Sequence, residues 1–501
     1  MIPAPDLDYA LLAPLLLVAA GALAGVLIEA FCPRGPRFAV QAGLAFAVSL
    51  VALAASVAVY AGGGFGPADQ PGRTVLADRA AVLTWIALSA FALLGVALFA
   101  DRRADGGLSA FTGRAADRPG SDEEAEALRE RIEHTEVFPL GLFALLGMML
   151  FAASADLLTM FVALEVLSLP LYLLCGLARR RRLWSQEAAL KYFVLGAFSS
   201  AFFLYGAALA YGYSGSFALD GLGAPGGEAE LRVAALALMA VGLLFKVGAV
   251  PFHAWTPDVY VGAPTPVTAF MAAGTKAAAF VALMRVLFAA AETDWKPLVA
   301  VIATTTMLVG SLLAIAQSDV KRMLAYSSVA HAGFVLTGVL DGDAAGVLFY
   351  LLAYGLASMG AFAVVALVRD AGGEATAAAR WAGLGRESPV LGVSFAVFML
   401  SFAGIPLTGG FIGKWAVFAE AASAGYAWLV VLGVLLSAVA AFFYVRMISV
   451  VFFADPDALT VASGARLTTG VVVLAAVGTV ILGIVPGPVL ELVQQAGSLV
   501  P

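Results

Sequence analysis

LLFKVGAVPFHAW, residues 243–255, decides how this chain is read. Lys246 stands inside an apolar run, and His253 follows seven residues later with Pro251 between them. A lysine at the centre of a membrane helix costs roughly 2.5–3.5 kcal/mol on insertion scales. Such a cost implies a use, provided that the segment lies in a bilayer.

Composition places it there. The 501 residues are 62% hydrophobic and 12% charged, with a mean hydropathy of +0.96. Soluble globular chains carry about 25% charged residues. The length therefore reads as many spanning helices of about 20 residues each. The net charge of −6 points to no nucleic-acid partner. Cys32 and Cys175 are far apart, match no metal or redox spacing, and read as small apolar residues. The N-terminal MIPAPDLDYALLAPLLL lacks a basic lead-in, so its apolar run reads as a retained helix.

About 14 apolar runs are long enough to span: 10–30, 38–61, 80–100, 137–153, 157–178, 187–213, 231–250, 264–288, 297–316, 323–340, 344–368, 389–421, 426–453 and 468–490. Lipid leaves no water for open backbone groups, so these runs are expected to be helices, giving an all-α polytopic membrane protein. Strands of a β-barrel would be shorter and would alternate in polarity. The odd-numbered loops hold about 19 basic residues, including Arg34, Arg102, the run Arg179–Arg182, Lys321, Arg322 and Arg369. The even-numbered loops and adjoining helix ends hold about five: Arg73, Arg79, Arg232, Arg285 and Lys296. That bias puts the odd loops in the cytoplasm and both termini outside. The 101–136 insert, with SDEEAEALRERIEH, reads as a solvated helix or a disordered strip, or as a face for a neighbouring protein. Residues 214–230 read as a plain connector.

Of 28 basic residues only six are lysines, and four of those fall inside the runs: Lys191, Lys246, Lys276 and Lys414. Arginine stays charged in any plausible surrounding, whereas a buried lysine can give up its proton. Four such amines suggest a proton path. Snorkelling to the interface is the alternative, best suited to Lys191 near the start of its run. Glu165, in TMFVALEVLSLPLY, lies mid-run on the fifth span, and Glu187 shares a helix face with Lys191. A carboxylate beside a buried amine couples their titrations, or simply makes a structural ion pair. His331, in MLAYSSVAHAGFVL, sits mid-run with Ser327 and Ser328 on its face; it reads as a relay or as a hydrogen-bonded packing residue. His253 is placed on the Lys246 face, since seven residues make nearly two turns.

Two runs carry breakers: the seventh at Pro251, and the twelfth, MLSFAGIPLTGGFIGKWAVF, at Gly404, Pro406, Gly409 and Gly410. Broken helices survive in a membrane only inside protein or along a watery cavity. Paired breaks mark transporters built from inverted repeats. Their spacing predicts two five-helix units, spans 4–8 and 9–13. The expected parts are 1–136 (three helices and the polar loop), 137–290, 291–453, and 454–501 with the last helix.

KVGAVPFHAWTPDVYVGAPTPVTAFMAAGTKAAAF, QSDVKRMLAYSSVAHAGF and GIPLTGGFIGKW closely resemble the antiporter-like membrane subunits of proton-pumping NADH:quinone oxidoreductase, respiratory complex I. PDVYVGAPTPVTAF is similar to the N-type branch of that family; the L and M types usually read PDAHxEAPT there. Lys414 disfavours the M type, which typically has Glu, and the short C-terminal segment disfavours the longer L type. The resemblance implies proton translocation coupled to NADH oxidation and quinone reduction in other subunits. It assigns Glu165, Lys246, Lys276 and Lys414 to proton transfer, with Lys246 paired to Glu165 and His331 as a central linker. Lys191 matches a sixth-helix lysine of the family. The 101–136 insert departs from shorter family members.

The resemblance also implies other membrane-arm subunits as partners, an M-type subunit and small membrane subunits among them. It implies a place in the cell inner (plasma) membrane. No cofactor is expected in this chain: there is no cysteine cluster for iron–sulfur and no dinucleotide glycine pattern, so NADH, flavin, iron–sulfur clusters and quinone belong to partner subunits. A cation/proton antiporter, or a scaffold with vestigial lysines, are the rival readings.

Overall fold

The computed structural model describes residues 8–63, 65, 74–104, 108–114, 117–118, 121–130, 132–223, 228–370, 373–455, 461–462 and 464–499. The helices run α1 (Tyr9–Phe31), α2 (Arg34–Gly62), α3 (Arg79–Ala100), α4 (Asp122–Arg129), α5 (Val137–Ala152), α6 (Leu157–Cys175), α7 (Arg182–Ser214), α8 (Ala229–Val247), α9 (Trp255–Gly262) and α10 (Thr265–Ala289). They continue as α11 (Glu292–Ile315), α12 (Val320–Val339), α13 (Ala345–Leu367), α14 (Leu384–Glu387), α15 (Pro389–Ala403), α16 (Gly409–Ser423), α17 (Ala427–Phe453), α18 (Arg466–Ile484) and α19 (Gly487–Gln495). Four of them start on an aspartate, Asp8, Asp78, Asp156 or Asp319, whose carboxylate accepts first-turn backbone N–H groups. Those donors would otherwise be orphaned.

Among the described residues, ten helices are long and apolar enough to cross a membrane: α1, α2, α3, α6, α7, α10, α11, α13, α17 and α18. The other four expected spans are short, interrupted or more polar. Helix α5 has 16 residues. Helix α8 carries Glu230, Arg232 and Lys246, and α12 carries Lys321, Arg322 and His331. The twelfth is split into α15 and α16.

Burial grades from the centre outward. The apolar window of α10 is 100% buried and that of α13 is 89% buried, whereas α2 is 22% buried. Outer helices show large apolar side chains such as Leu190, Phe198, Leu435 and Phe442. Exposed apolar area on that scale suits lipid contact and not water. Helices α3, α5 and α13 pack on α10, and α18 packs on α3, α13, α15 and α16.

Polar segments close one face. The insert is not a solvated strip throughout. Helix α4 forms, but the flanking chain is strapped down, with Thr112 N–H donating to Leu177 O (2.8 Å) and Arg179 N–H to Ala110 O (2.9 Å). Arg102 pairs with Glu133 at 2.6 Å and lies over Phe38. Burial pushes the Glu133 carboxyl up, against the lowering pull of Arg102. On the same polar face a small antiparallel sheet, ordered β2 (Gly373–Glu374), β1 (Val368–Asp370), β3 (Val461–Ala462), adds the only named strands among the described residues.

Both breaks use one device. At the end of α8, Gly248 takes φ 77°, and its N–H and that of Ala249 return to carbonyls of the last turn. At the end of α15, Gly404 (φ 80°) and Ile405 do the same. A left-handed glycine closes a helix in this way at little steric cost. The seventh span then resumes as α9, a half-helix beyond the expected 231–250 run. Gly409 and Gly410 are not in the second break; they form the first turn of α16, where Gly410 lies against Ser401 O.

Arg285 is not an interface anchor. It is fully buried in α10, with an Nη donating to Asp78 at 2.7 Å and Nε to Ala152 O at 2.7 Å. One side chain thus ties α10 to the starts of α3 and the end of α5. Breaking a buried pair from one side strands the other charge, at ~3–5 kcal/mol. Arg285→Ala should therefore lower the thermal midpoint of the detergent-solubilised chain markedly. The joint change Asp78→Asn with Arg285→Met should recover much of the loss.

Candidate functional site

Three lysines expected to carry protons lie fully inside the protein: Lys246, Lys276 and Lys414 are each 5% exposed or less. Among the described residues none of the three makes an ion pair. Lys246, next to last on α8, donates to Ser168 Oγ (2.7 Å) and reaches Tyr192 Oη at 3.4 Å. Its Nζ sits 5.2 Å from the Tyr192 ring centre and 5.7 Å from that of Tyr172. The Ser168 hydroxyl in turn donates a hydrogen bond to Leu164 O. Lys276 donates to Ser328 O (2.5 Å) and Ser328 Oγ (2.6 Å), over the Tyr354 ring. Lys414 donates to Phe402 O (2.9 Å), Ala403 O (3.1 Å) and Ser437 Oγ (2.6 Å), with Phe334 beneath it.

The two carbonyls under Lys414 exist as acceptors because α15 stops at Ala403. The last carbonyls of a helix have no partner within it and carry its negative end. A lysine from α16 fills that place. At the other break, Trp255 Nε1 takes Phe245 O at 2.8 Å, and its ring stacks on Tyr192 at 4.7 Å. So the α8 break is plugged by an indole, while the α15 break is capped by an amine.

His331 lies between Lys276 and Lys414. Its ring nitrogens meet Tyr350 Oη (2.7 Å, Nδ1) and Tyr444 Oη (3.2 Å, Nε2), and Tyr444 Oη meets Ser327 Oγ. Ser328, which holds Lys276, is one turn earlier on the same helix. Towards Lys414 the ring is flanked by Phe334 (5.7 Å) and Phe402 (5.4 Å). Neither can relay a proton.

Glu165 departs from its expected contact with Lys246. The two make no ion pair; Ser168, one turn further along α6, takes the amine instead. The buried Oε1 of Glu165 has no hydrogen-bond partner. Glu187 and Lys191 do pair, at 2.6 Å, but Lys191 is 40% exposed and also binds Asp258 at 2.6 Å. This cluster ties α7 to α9, apart from the three buried amines. His253 does not share a helix face with Lys246. Helix α8 ends at Val247, and His253 sits half-buried in the turn before α9, with Nδ1 unpartnered. Pro251 and Pro406 stand in the two breaks.

Several polar groups were not singled out from the sequence. Ser168, Tyr192, Tyr350, Ser437 and Tyr444 come from helices distant in the chain, and no local spacing marks them. Lys321 is not a loop cation: it lies in α12, is 2% exposed and donates to Ala263 O and Thr265 Oγ1, both at 3.0 Å. Glu420, on α16 below Lys414, accepts from Gly346 N–H at 2.7 Å, and its other oxygen is buried without a partner.

Buried amines held by hydroxyls and helix ends, within a polytopic fold broken at two helices, define an antiporter-like membrane subunit. The chain belongs to the family described as NADH:quinone oxidoreductase/Mrp antiporter, whose membrane domain matches residues 154–440. A relative from Nocardioides sp. (strain JS614), named NADH-quinone oxidoreductase subunit N, is 54% identical over 99% of both chains. The subunit N of Mycobacterium tuberculosis (strain H37Rv) is 51% identical over 100% of this chain and 99% of its own. A chain of respiratory complex I from Thermus thermophilus superposes with a TM-score of 0.80 at 38% identity, covering 95% of this chain and 98% of that one. A chain of the Mrp complex from Dietzia sp. has a TM-score of 0.80 at 22% identity, covering 98% and 97%, which is a likeness of fold.

Gly404 gives a test of the capped break. A Cβ there would meet Lys414 Cδ at 2.9 Å, whereas at Gly425 (φ 90°) a Cβ meets nothing within 4 Å. Both Gly→Ala changes carry the left-handed backbone cost of ~1–2 kcal/mol. In Gly404→Ala the Lys414 side chain must also shift, which strains its hydrogen bonds to Phe402 O and Ala403 O; hydrogen bonds to charged groups are worth ~1.5–3 kcal/mol each. Thermal unfolding should therefore show a clearly larger loss for Gly404→Ala than for Gly425→Ala.

Proposed function

We propose that this chain is a membrane-arm subunit of a proton-pumping NADH:quinone oxidoreductase and carries protons across the membrane through Glu165, Lys246, Lys276, His331 and Lys414. One observation carries the reading. Lys246, Lys276 and Lys414 are held by neutral hydroxyls and carbonyls, whereas Lys191, Lys296 and Lys321 are each matched to a carboxylate. A charged carboxylate beside an amine holds the proton on it. An amine on neutral acceptors can exist in both states. The names of the relatives supply the setting.

In this reading Glu165 is the trigger. While its carboxylate is charged and near, it favours the Lys246 ammonium. When it is neutralised or turns away, the buried ammonium is costly and its proton leaves. The unpartnered Oε1 of Glu165 supports such movement, since nothing fixes that oxygen. Ser328 and His331 continue the path from Lys276. Phe334 and Phe402 interrupt it before Lys414, so passage there requires water to enter or a ring to turn. That interruption suits a pump, which must never connect both sides at once. Lys414 delivers the proton outward. His253, with its open Nδ1, serves as an accessory relay group in this reading, whereas Lys191 and Glu187 fall on the ion-paired side of the contrast and stand outside the path.

The partners in this reading are the other membrane-arm subunits, including an M-type subunit and small membrane subunits. The redox groups sit on other subunits: NADH, flavin, iron–sulfur clusters and quinone. The chain lies in the cell plasma membrane with its basic loops inside and both termini outside.

The test is proton pumping driven by NADH in membranes carrying Lys246→Ala or Lys246→Arg, with assembly followed on a native gel. Both variants should assemble and pump far less, because arginine keeps the charge but does not release its proton. Glu165→Ala should weaken pumping as well. Normal pumping by assembled Lys246→Ala would end the proposal. Sodium-dependent transport by the purified complex would point to cation/proton antiport instead.

A further inference from the structure

The hydrogen bonds around Lys414 all return to the end of α15. Its amine meets Phe402 O and Ala403 O, and Ser437 Oγ, its third partner, itself donates to Ala403 O at 3.2 Å. None of them leads along α16, the direction of the outer face in the topology proposed above. Residues 415–419 are Trp, Ala, Val, Phe and Ala, and none of these side chains can take up a proton. Glu420 is the first side chain of α16 beyond Lys414 that can, six residues and about 9 Å further along the helix.

Glu420 reaches both inside and outside. The residue is partly exposed. Its Oε1 accepts from Gly346 N–H at 2.7 Å, while its Oε2 is buried without a partner. Among the described residues no cation pairs with it. The carboxyl lies so close on Gly346 that a Cβ there would run into Oε2. Capping of α13 does not account for this placement. Asp343 Oδ1 already accepts Ala345 N–H at 2.7 Å, and one carboxylate suffices at a helix start.

The seam between α13 and α16 links this carboxyl to the buried axis. Gly346 and Tyr350 are one turn apart on α13. Tyr350 packs on Gly413, and Gly346 packs on Glu420. The Tyr350 hydroxyl is the one that meets His331 Nδ1. Further out, in the α12–α13 turn, lie Asp341 and Asp343, both partly exposed. Burial and Asp343 push the Asp341 carboxyl up, against the pull of Lys296. An ionisable group at the end of a spanning helix, unpaired and touching the surface, marks an ion pathway more often than a packing contact.

We propose that Glu420 is the outward release group of the proton path, taking the proton that Lys414 gives up and passing it to water at the outer face. This rests on the proton-carrying reading above. The N–H bond breaks at Lys414 Nζ, and water entering past the buried Val417 carries the proton. An O–H bond forms at Glu420 Oε2, and it breaks again to outside water, which restores the carboxylate.

The test is proton pumping by the assembled complex in proteoliposomes, driven by NADH and a soluble quinone, with Lys246→Ala measured beside each variant. Glu420→Gln keeps an oxygen for the Gly346 N–H but does not carry the proton, so pumping should fall as far as in Lys246→Ala. Glu420→Ala should fall likewise. It leaves room for a small acid, so added acetate should restore roughly half of the lost pumping by standing in as the proton carrier. Acetate should restore none in Lys246→Ala. That recovery separates lost proton transfer from damaged structure. Unaltered pumping by Glu420→Gln beside the loss in Lys246→Ala would overturn this proposal and leave the reading of Lys246 standing. A Glu420→Ala defect that acetate leaves in place would do the same. Normal pumping by Lys246→Ala would remove the reading on which the proposal rests.

Discussion

Every polar backbone group inside a bilayer needs a partner, and this fold turns on what happens where a helix stops short of supplying one. Ending α15 at Ala403 leaves two carbonyls facing inward, and Lys414 occupies them. The amine satisfies the backbone, and the backbone makes the amine tolerable. Neither would be stable there alone. The same constraint at the end of α8 is met differently, by the Trp255 indole. That leaves Lys246 free to use Ser168. Two breaks of like backbone geometry thus serve different side chains, which accounts for a lysine before one break and after the other.

The buried axis is amphoteric in construction. Hydroxyls of Ser168, Tyr192, Ser328, Tyr350, Tyr444 and Ser437 both give and accept hydrogen bonds. A group held by such neighbours can change its protonation while the hydroxyls turn over. Aromatic rings separate the polar islands. Tyr192, Trp255 and Tyr260 form one chain of ring contacts beside Lys246, and Phe334 with Phe402 flank His331. The arrangement is polar around the buried amines and His331 and apolar between them.

Much of this was legible in the sequence because a charge in an apolar run is conspicuous. Lys246, Lys276, Lys414 and His331 stand out for that reason, and all four are buried. Their partners did not stand out. A serine or tyrosine in an apolar helix costs little and signals little, and its use depends on contacts across as many as 117 residues. Helical spacing misled at His253, because a left-handed glycine ended the helix before the two turns were complete. Assigning basic residues to loops and helix ends misled at Lys321 and Arg285, which sit near run ends in the sequence yet are covered by other elements: α9 and the β1–β2 hairpin over Lys321, α3 and α5 over Arg285. Helix α9 went unread because eight residues holding a proline and an aspartate do not look like a span. Short helices of that kind are fixed by tertiary packing and not by local propensity.

The ion pair of Asp78 with Arg285 has a consequence for how the chain is made. Helix α10 carries two cations, Lys276 and Arg285, and each costs roughly 2.5–3.5 kcal/mol at the centre of an isolated helix. Entering lipid alone, it would be a poor client of the insertion machinery. Asp78 precedes Arg285 by 207 residues, so its carboxylate is already at the membrane when α10 leaves the ribosome. Chain order thereby supplies the counter-ion before the cation arrives, and the most buried helix is laid down against a surface prepared to receive it.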